Sequence, residues 1–325
     1  MAYEDVTSKT KKAAIFVGEE KGQVFYDLKK GDVIMEKVWI DEQLCTLCGT
    51  CISLCPRRVI EEGNSTARVT DPARCMLCGH CKAVCPEDAP HFPSLSPEEF
   101  EPAPSKEDLP GSGQLMALFR SRRSTRIYRG EPVERKLIKK IMEAGRFAPS
   151  GGNRQPLRYV VVHTPESVEK IRSMTIEALV SESNEIERDI RKKQEHGVSI
   201  SPDDRIRQLY ANLWQELAVF HNQGIDKLFY QAPSLVICHV DSRTTVTAEV
   251  DAGISAMQMI LMAEALGLGT CLCAFLCVAI GRSSELRQAL QIPSGDLVPF
   301  SFMLGYPDIT YLRLVSRNPA QVHWL

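Results

Sequence analysis

Eight cysteines between positions 45 and 85 constrain this chain more than any other feature. The runs CTLCGTCISLCP (45–56) and CMLCGHCKAVCP (75–86) both read C-x2-C-x2-C-x3-C-P. Thiolates are soft ligands suited to iron–sulfur cores, and four of them make the usual ligand set of a [4Fe–4S] cube. The first three cysteines of each run lie on one tight loop, while the fourth opens the next turn and points to the other cluster. One expected set is therefore Cys45, Cys48, Cys51 and Cys85. The other is Cys75, Cys78, Cys81 and Cys55. Pro56 and Pro86 lead the chain away after each fourth ligand. A zinc ribbon would use two C-x2-C pairs, without a third cysteine and a fourth before proline. Disulfides belong to small secreted domains, and the N-terminus MAYEDVTSKTKK has no apolar run of the kind that directs export. The cytoplasm is the expected compartment. Two clusters brought close by the ligand exchange form a relay for single electrons, which requires a donor outside and an acceptor beyond.

The acceptor has room in the rest of the chain. At 325 residues the protein is long enough for a small and a large domain. A formal net charge of −2 creates no general attraction to nucleic acid or anionic membrane. The most apolar stretch, 256–280, is interrupted by Gln258, Glu264 and two glycines, so it reads as a core helix running into a buried strand rather than a membrane span. Four segments are expected: an extension over 1–37 with two short strands around a Lys-Gly turn, the cysteine block over 38–92, a linker over 93–113, and a large domain over 114–325. Prolines at 93, 97, 102, 104 and 110 keep the linker out of helix and central strand.

In the large domain the spacing of Val133, Leu137, Ile138, Ile141 and Met142 predicts a helix with Pro132 in its first turn. LRYVVVH (157–163), APSLVICHV (232–240) and VPFSFMLGYP (298–307) predict strands. Residues 165–230 predict two or three amphipathic helices, and 251–269 a long helix ended by glycines. This alternation argues for an α+β or α/β arrangement, a sheet covered by helices. Met257, Met259 and Met262 read as core filler, and Cys238, Cys271, Cys273 and Cys277 as small buried hydrophobes. His163, His221 and His239 read as structural or surface residues.

Two loops carry chemistry. SRRSTRIYRG (121–130) concentrates four arginines beside hydroxyls, a composition able to grip phosphate or to make a solvated basic face. APSGGNRQP (148–156) combines small residues, which let a planar ligand approach the backbone, with the amides of Asn153 and Gln155. RRSTR, APSGGNRQP, EALGLGTC, LGYP and RLVSR occur in that order over 114–325. The ordered set resembles the FMN-dependent nitroreductase family, in its subgroup fused to an N-terminal ferredoxin, and residues 38–92 resemble a bacterial two-cluster ferredoxin.

The resemblance implies an α+β nitroreductase-like domain, a mixed sheet flanked by helices, behind a small ferredoxin-like domain. It implies a homodimer with FMN at the subunit interface. Arg122, Arg123 and Ser124 would hold the phosphate and ribityl end, with Arg126 in support. Pro149, Ser150, Gly151 and Asn153 would line the flavin ring from the partner subunit, with Gln155 nearby. Leu272, Cys273 and Ala274 would run along the flavin face near N5, and Arg317 with Arg313 would complete the phosphate site. Val315 stands where some members carry lysine, and Cys273 and Ala274 replace other residues of the family. No proton-donating catalytic residue is named by any motif.

The expected activity is an oxidoreductase moving electrons through two [4Fe–4S] clusters to FMN and on to a small organic acceptor of nitro, quinone or enone type. An external ferredoxin or another low-potential protein is the expected donor. Delivery to a protein partner, or flavin metabolism, are the alternative readings.

Overall fold

A computed structural model describes residues 37–325 in full, and before them the backbone of three strands, β1 (Lys12–Ile15), β2 (Val24–Asp27) and β3 (Asp32–Met35), paired antiparallel in sequence order. The expected Lys-Gly turn lies outside the described residues. The chain divides into two compact units, Met1–Leu109 and Pro110–Leu325.

In the first unit β4 (Trp39–Ile40) pairs with β7 (Pro90–His91), and the Trp39 and His91 rings stack at 4.3 Å. Between them lie α1 (Thr50–Leu54), β5 (Ile60–Glu62), β6 (Ala67–Val69) and α2 (His80–Ala83), with β5 and β6 forming an antiparallel pair. The two cysteine runs share one backbone course. Leu47 and Leu77 both have φ of 54°, Gly49 and Gly79 have 77° and 70°, and Arg58 and Asp88 have 50° and 54°. The glycines supply the left-handed turn from which each short helix starts.

The second unit is one sheet with helices on both faces. Its elements are α3 (Ser112–Ser121), α4 (Arg135–Arg146), β8 (Arg158–Val162), α5 (Pro165–Glu195), α6 (Pro202–Asn222), β9 (Ser234–Asp241), α7 (Ala248–Ala265), β10 (Gly269–Leu272), α8 (Ala274–Arg282), α9 (Ser284–Ala289) and β11 (Asp296–Gly305). Strand order is β10-β11-β9-β8, with every ladder antiparallel. The parallel component is an isolated bridge between Ser124 and Thr270.

Strand β9 shows how the sheet separates two cores. Leu235 and Ile237 join the cluster under α5, α6, α8 and α9, while Val236 and Cys238 join the cluster under α4 and α7. Alternate residues of a strand point to opposite faces, so a strand covered on both sides is apolar throughout. Burying each such side chain contributes about 1.5–3 kcal/mol.

Helix boundaries follow from local chemistry. Helix α4 starts at Arg135 with Glu134 as N-cap, so Pro132 lies before the helix and not in its first turn. Val133 and Ile138 occupy the same core cluster on either side of that cap, a hydrophobic staple that sets the entry angle of the chain. Thr164 caps α5, and Ser201 with Asp204 forms a capping box on α6. Gly267, with φ of 74°, closes α7. The apolar run after β10 returns to helix as α8, because Leu276, Ala279 and Ile280 make one buried face. Met259 is fully buried but Met257 is 47 % exposed, so Met257 faces outward rather than filling the core. His239 is buried, its Nδ1 2.6 Å from Asp296 Oδ2. Among the described residues no helix is long and apolar enough to cross a membrane.

Candidate cofactor sites

None of the eight cysteines of the first unit is in a disulfide. Burial pushes the Cys51 thiol up, and the negative charges of Cys45, Cys48 and Cys85 push it further. Its electrostatic neighbours are thus the other three members of its expected set. The Cys75 thiol is raised chiefly by burial, with Cys78 and Cys55 adding to the effect. Cys81 is pushed up to about 12, by burial first and then by Cys75, Cys78 and Cys51. The thiols of the two runs thus act on one another, Cys85 on Cys51, Cys55 on Cys75 and Cys51 on Cys81.

The surroundings suit anionic sulfur. Backbone N–H groups of Ala67, Leu77 and Ala89 donate to Sγ of Cys45, Cys75 and Cys85, each at 3.4 Å. Cys51, Cys55, Cys75, Cys78 and Cys81 open onto a cavity walled by Val38, Leu54, Val59, Ile60 and Phe92. Burial first, and neighbouring thiolates after it, disfavour ionisation of Cys75 and Cys81, so thiolates crowded here call for a cationic core among them. The donor set fits an iron–sulfur core. Among the described residues no group of three His, Cys, Asp or Glu side chains is placed to hold a single metal ion.

In the second unit the arginine loop leaves α3 and runs beside β10, where the Thr125 N–H donates to the Thr270 carbonyl at 2.9 Å. Arg122, Arg123 and Arg317 line one cavity of about 480 Å³, together with Phe119, Arg120, Val315 and Ser316. Arg123 and Arg313 line a neighbouring cavity of about 410 Å³ with Thr125, Glu264 and Gly269. The Arg123 guanidinium donates to the carbonyls of Arg120 and Arg122 at 2.7 Å, and its Nε is buried without a partner. Such an orphaned donor suits an anionic ligand. The sequence-distant tail thus joins the RRS loop. Ser124 is exposed beside them, whereas Arg126 turns away, its guanidinium 6.0 Å from the Tyr230 ring.

The Gly-Asn-Gln loop is held elsewhere. The Gly151 N–H donates to Asp251 Oδ1 at 3.0 Å, and the Gln155 N–H donates to Ser150 Oγ at 2.9 Å. Asn153 and Gln155 both have positive φ, 52° and 47°, and the Gln155 amide donates to Asn153 Oδ1. Pro149 is exposed at the loop's start. Asp251 is 3 % exposed and also accepts from the hydroxyls of Thr245 and Thr247. Neither Asp251 nor the threonines stood out in the sequence. An aspartate early in an otherwise apolar helix, just after TVT, was the available signal.

Helix α7 separates the two loops. The Gly-Asn-Gln loop sits at its N-terminal end and Thr125 and Arg123 lie beyond its C-terminal end. Eighteen residues at 1.5 Å each make roughly 27 Å between them. Leu272 and Ala274 are exposed at the far end of β10, three to five residues from Gly269. The Cys273 side chain points into the core, where burial pushes its thiol up to about 12. Its backbone is tied to Ser301, whose hydroxyl donates to the Cys273 carbonyl at 2.7 Å. The backbone of this stretch, and not the Cys273 thiol, is what a neighbouring ligand would meet.

Residues 119–306 match the Nitroreductase family. The chain belongs to that family. Residues 37–86 match a 4Fe-4S dicluster domain, so this nitroreductase-family oxidoreductase carries an iron–sulfur domain ahead of its flavoprotein fold. The chain is 26 % identical over 210 residues to the nitrobenzene nitroreductase of Ectopseudomonas oleovorans, covering 62 % of this chain and 89 % of that one. It is 24 % identical over 236 residues to the 4-nitrobenzoate reductase of a Nocardioides species, covering 66 % and 90 %. Among solved structures, a nitroreductase with bound FMN from Bacteroides fragilis aligns at 20 % identity and a TM-score of 0.48, covering 65 % and 98 %.

Proposed function

We propose that this nitroreductase-family chain is an iron–sulfur flavoprotein that moves electrons from two [4Fe–4S] clusters to FMN and reduces a small organic acceptor, with a nitroaromatic as the first candidate. The reading is carried by one observation. A chain with two four-cysteine runs also gathers Arg122, Arg123 and Arg317, from opposite ends of the second unit, around one cavity. The named activities of its relatives favour the nitro group among acceptors.

Bound FMN would supply the conversion between one-electron delivery and two-electron reduction. The protein's part is placement. Arg122, Arg123, Ser124 and the tail arginines 313 and 317 would neutralise and orient the phosphate through charge-assisted hydrogen bonds. The backbone at Leu272–Ala274 would flank the reactive edge of the ring, about 10 Å from Thr270 at the strand rise per residue. Pro149, Ser150, Gly151, Asn153 and Gln155 would line the ring from a second copy, because the length of α7 keeps one chain's own loop away from its own arginines. The exposed row Val250, Ile254 and Met257 on α7 gives a homodimer an apolar contact to cover. A ferredoxin-like external protein fits as donor to the cysteine domain, in a reducing compartment such as the cytoplasm, with residues 93–113 as the link between domains.

Anaerobic purification with iron, sulfide and flavin measured per chain tests the reading. Two four-iron clusters and one FMN are expected, and Arg122→Ala with Ser124→Ala should release flavin and keep iron. Zinc without iron or flavin would overturn it. Turnover that requires a protein partner, or that consumes the flavin, would replace it with an electron-carrier or flavin-metabolism role.

A further inference from the structure

The two cysteine loops share a backbone course but carry opposite charge. After Cys55 and Pro56 the chain continues Arg57-Arg58, and after Cys85 and Pro86 it continues Glu87-Asp88. Arg58 and Asp88 have φ of 50° and 54°, so the positions are equivalent in conformation as well as in sequence. Ligand exchange carries each pair to the opposite loop's site. Arg57 lines the cavity onto which Cys55, Cys75, Cys78 and Cys81 all open, with Cys51 alone from the other set. Lys37 adds a second cation there, its Nζ donating to the carbonyls of Ala73 at 3.2 Å and Cys75 at 3.4 Å. At the other site Glu87 stands where Arg57 stands at the first, two residues after the fourth cysteine of its run and just before a residue of positive φ. The remaining cation of the second loop, Lys82, is already neutralised by its ion pair with Asp88.

Reduction adds a negative charge to a thiolate-ligated core. A nearby cation favours the reduced form, and a carboxylate disfavours it. Resting on the two-cluster reading, we infer that Lys37, Arg57 and Glu87 split the two sites in reduction potential and make the Cys55, Cys75, Cys78 and Cys81 site the easier to reduce. One electron supplied by a low-potential donor then rests at that site. It leaves the Cys45, Cys48, Cys51 and Cys85 site, oxidising it by one electron, and reduces the other by one, with no bond or proton exchanged. Hydrogen bonds to sulfur act the other way, since Cys45 and Cys85 receive two backbone N–H donors and Cys75 one. An amide is a dipole whose influence falls off faster than that of a full charge, and here three charges act in the same sense.

The test is an anaerobic titration of the full chain with dithionite and mediators, followed by electron paramagnetic resonance. Two one-electron steps are expected, separated by at least tenfold in equilibrium constant, about 59 mV. Arg57→Gln should lower only the step of the more easily reduced site, and Glu87→Gln should raise only the other. The exposed charges tolerate exchange, so Arg57→Glu combined with Glu87→Arg should narrow or invert the gap at unchanged iron content. Raising the salt should narrow it in the unaltered protein. Two clusters whose steps coincide, or a gap indifferent to both charge exchange and salt, would overturn the inference alone. Iron short of two clusters would overturn the underlying reading and the inference with it.

Discussion

The backbone N–H of Gly151 donates to the Asp251 carboxylate across 3.0 Å, joining residues one hundred positions apart. Through this bond the first turn of α7 holds the loop proposed to face the flavin ring. The same carboxylate takes the Thr245 and Thr247 hydroxyls, so its acceptor sites are occupied from three directions. Asp251→Ala leaves buried donors unsatisfied, at about 1–3 kcal/mol each. Flavin affinity measured by fluorescence should fall by an order of magnitude or more, while iron content holds.

Gly151 is confined by its neighbour rather than by an unusual φ. A Cβ there would lie 2.3 Å from Thr247 Oγ1 and 3.5 Å from Thr247 Cβ. Gly151→Ala should lower thermal stability and flavin affinity, with overpacking of this kind costing about 1–3 kcal/mol. Adding Thr247→Ala removes the obstructing hydroxyl and should recover part of the loss, a coupling that a double-mutant cycle would read.

If two copies build each flavin site, defects at its two ends should complement. Chains carrying Arg122→Ala with Ser124→Ala and chains carrying Asp251→Ala should each bind flavin poorly. Co-expression gives heterodimers with one intact and one doubly damaged site, and about a quarter of the full flavin content from a random two-fold mixture. No recovery at all would mean that both ends act within one chain.

The proposed crossing of the fourth cysteines predicts a pairing in iron content. Cys55→Ala should lose one cluster, and adding Cys75→Ala should lose no more. Adding Cys45→Ala to Cys55→Ala should remove both. If each run instead closed on its own cluster, Cys55 would pair with Cys45 in this test.

Asp204 makes the stability of the α5–α6 hairpin depend on pH. Its carboxylate receives Lys193 Nζ at 2.7 Å and the Ser201 hydroxyl at 2.9 Å, and these partners hold its pKa down to about 2 from an ordinary 3.8. A depressed carboxylate contributes stability that is complete above its unfolded value and is lost as pH falls through the folded one. Thermal melts of the protein and of Asp204→Asn should therefore differ by a constant amount above about pH 5, and the difference should shrink toward pH 2.

The chain's own order of residues determined the ligand chemistry and most of the elements. A C-x2-C-x2-C-x3-C-P run places three thiols on one loop whatever surrounds it, and the near-continuous apolar run LVICHV suits a strand covered on both faces. Capping signals such as Ser201 with Asp204 are likewise local. Tertiary structure decided what depended on distance through space. It brought Arg317 to Arg122 across nearly two hundred residues, turned Arg126 toward Tyr230, and pointed the Cys273 thiol inward. It also set the Gly-Asn-Gln loop and the arginines at opposite ends of α7. No local pattern encodes such separations, because a buried side chain such as Asp251 is chosen by the groups that the whole sheet and its helices bring against it.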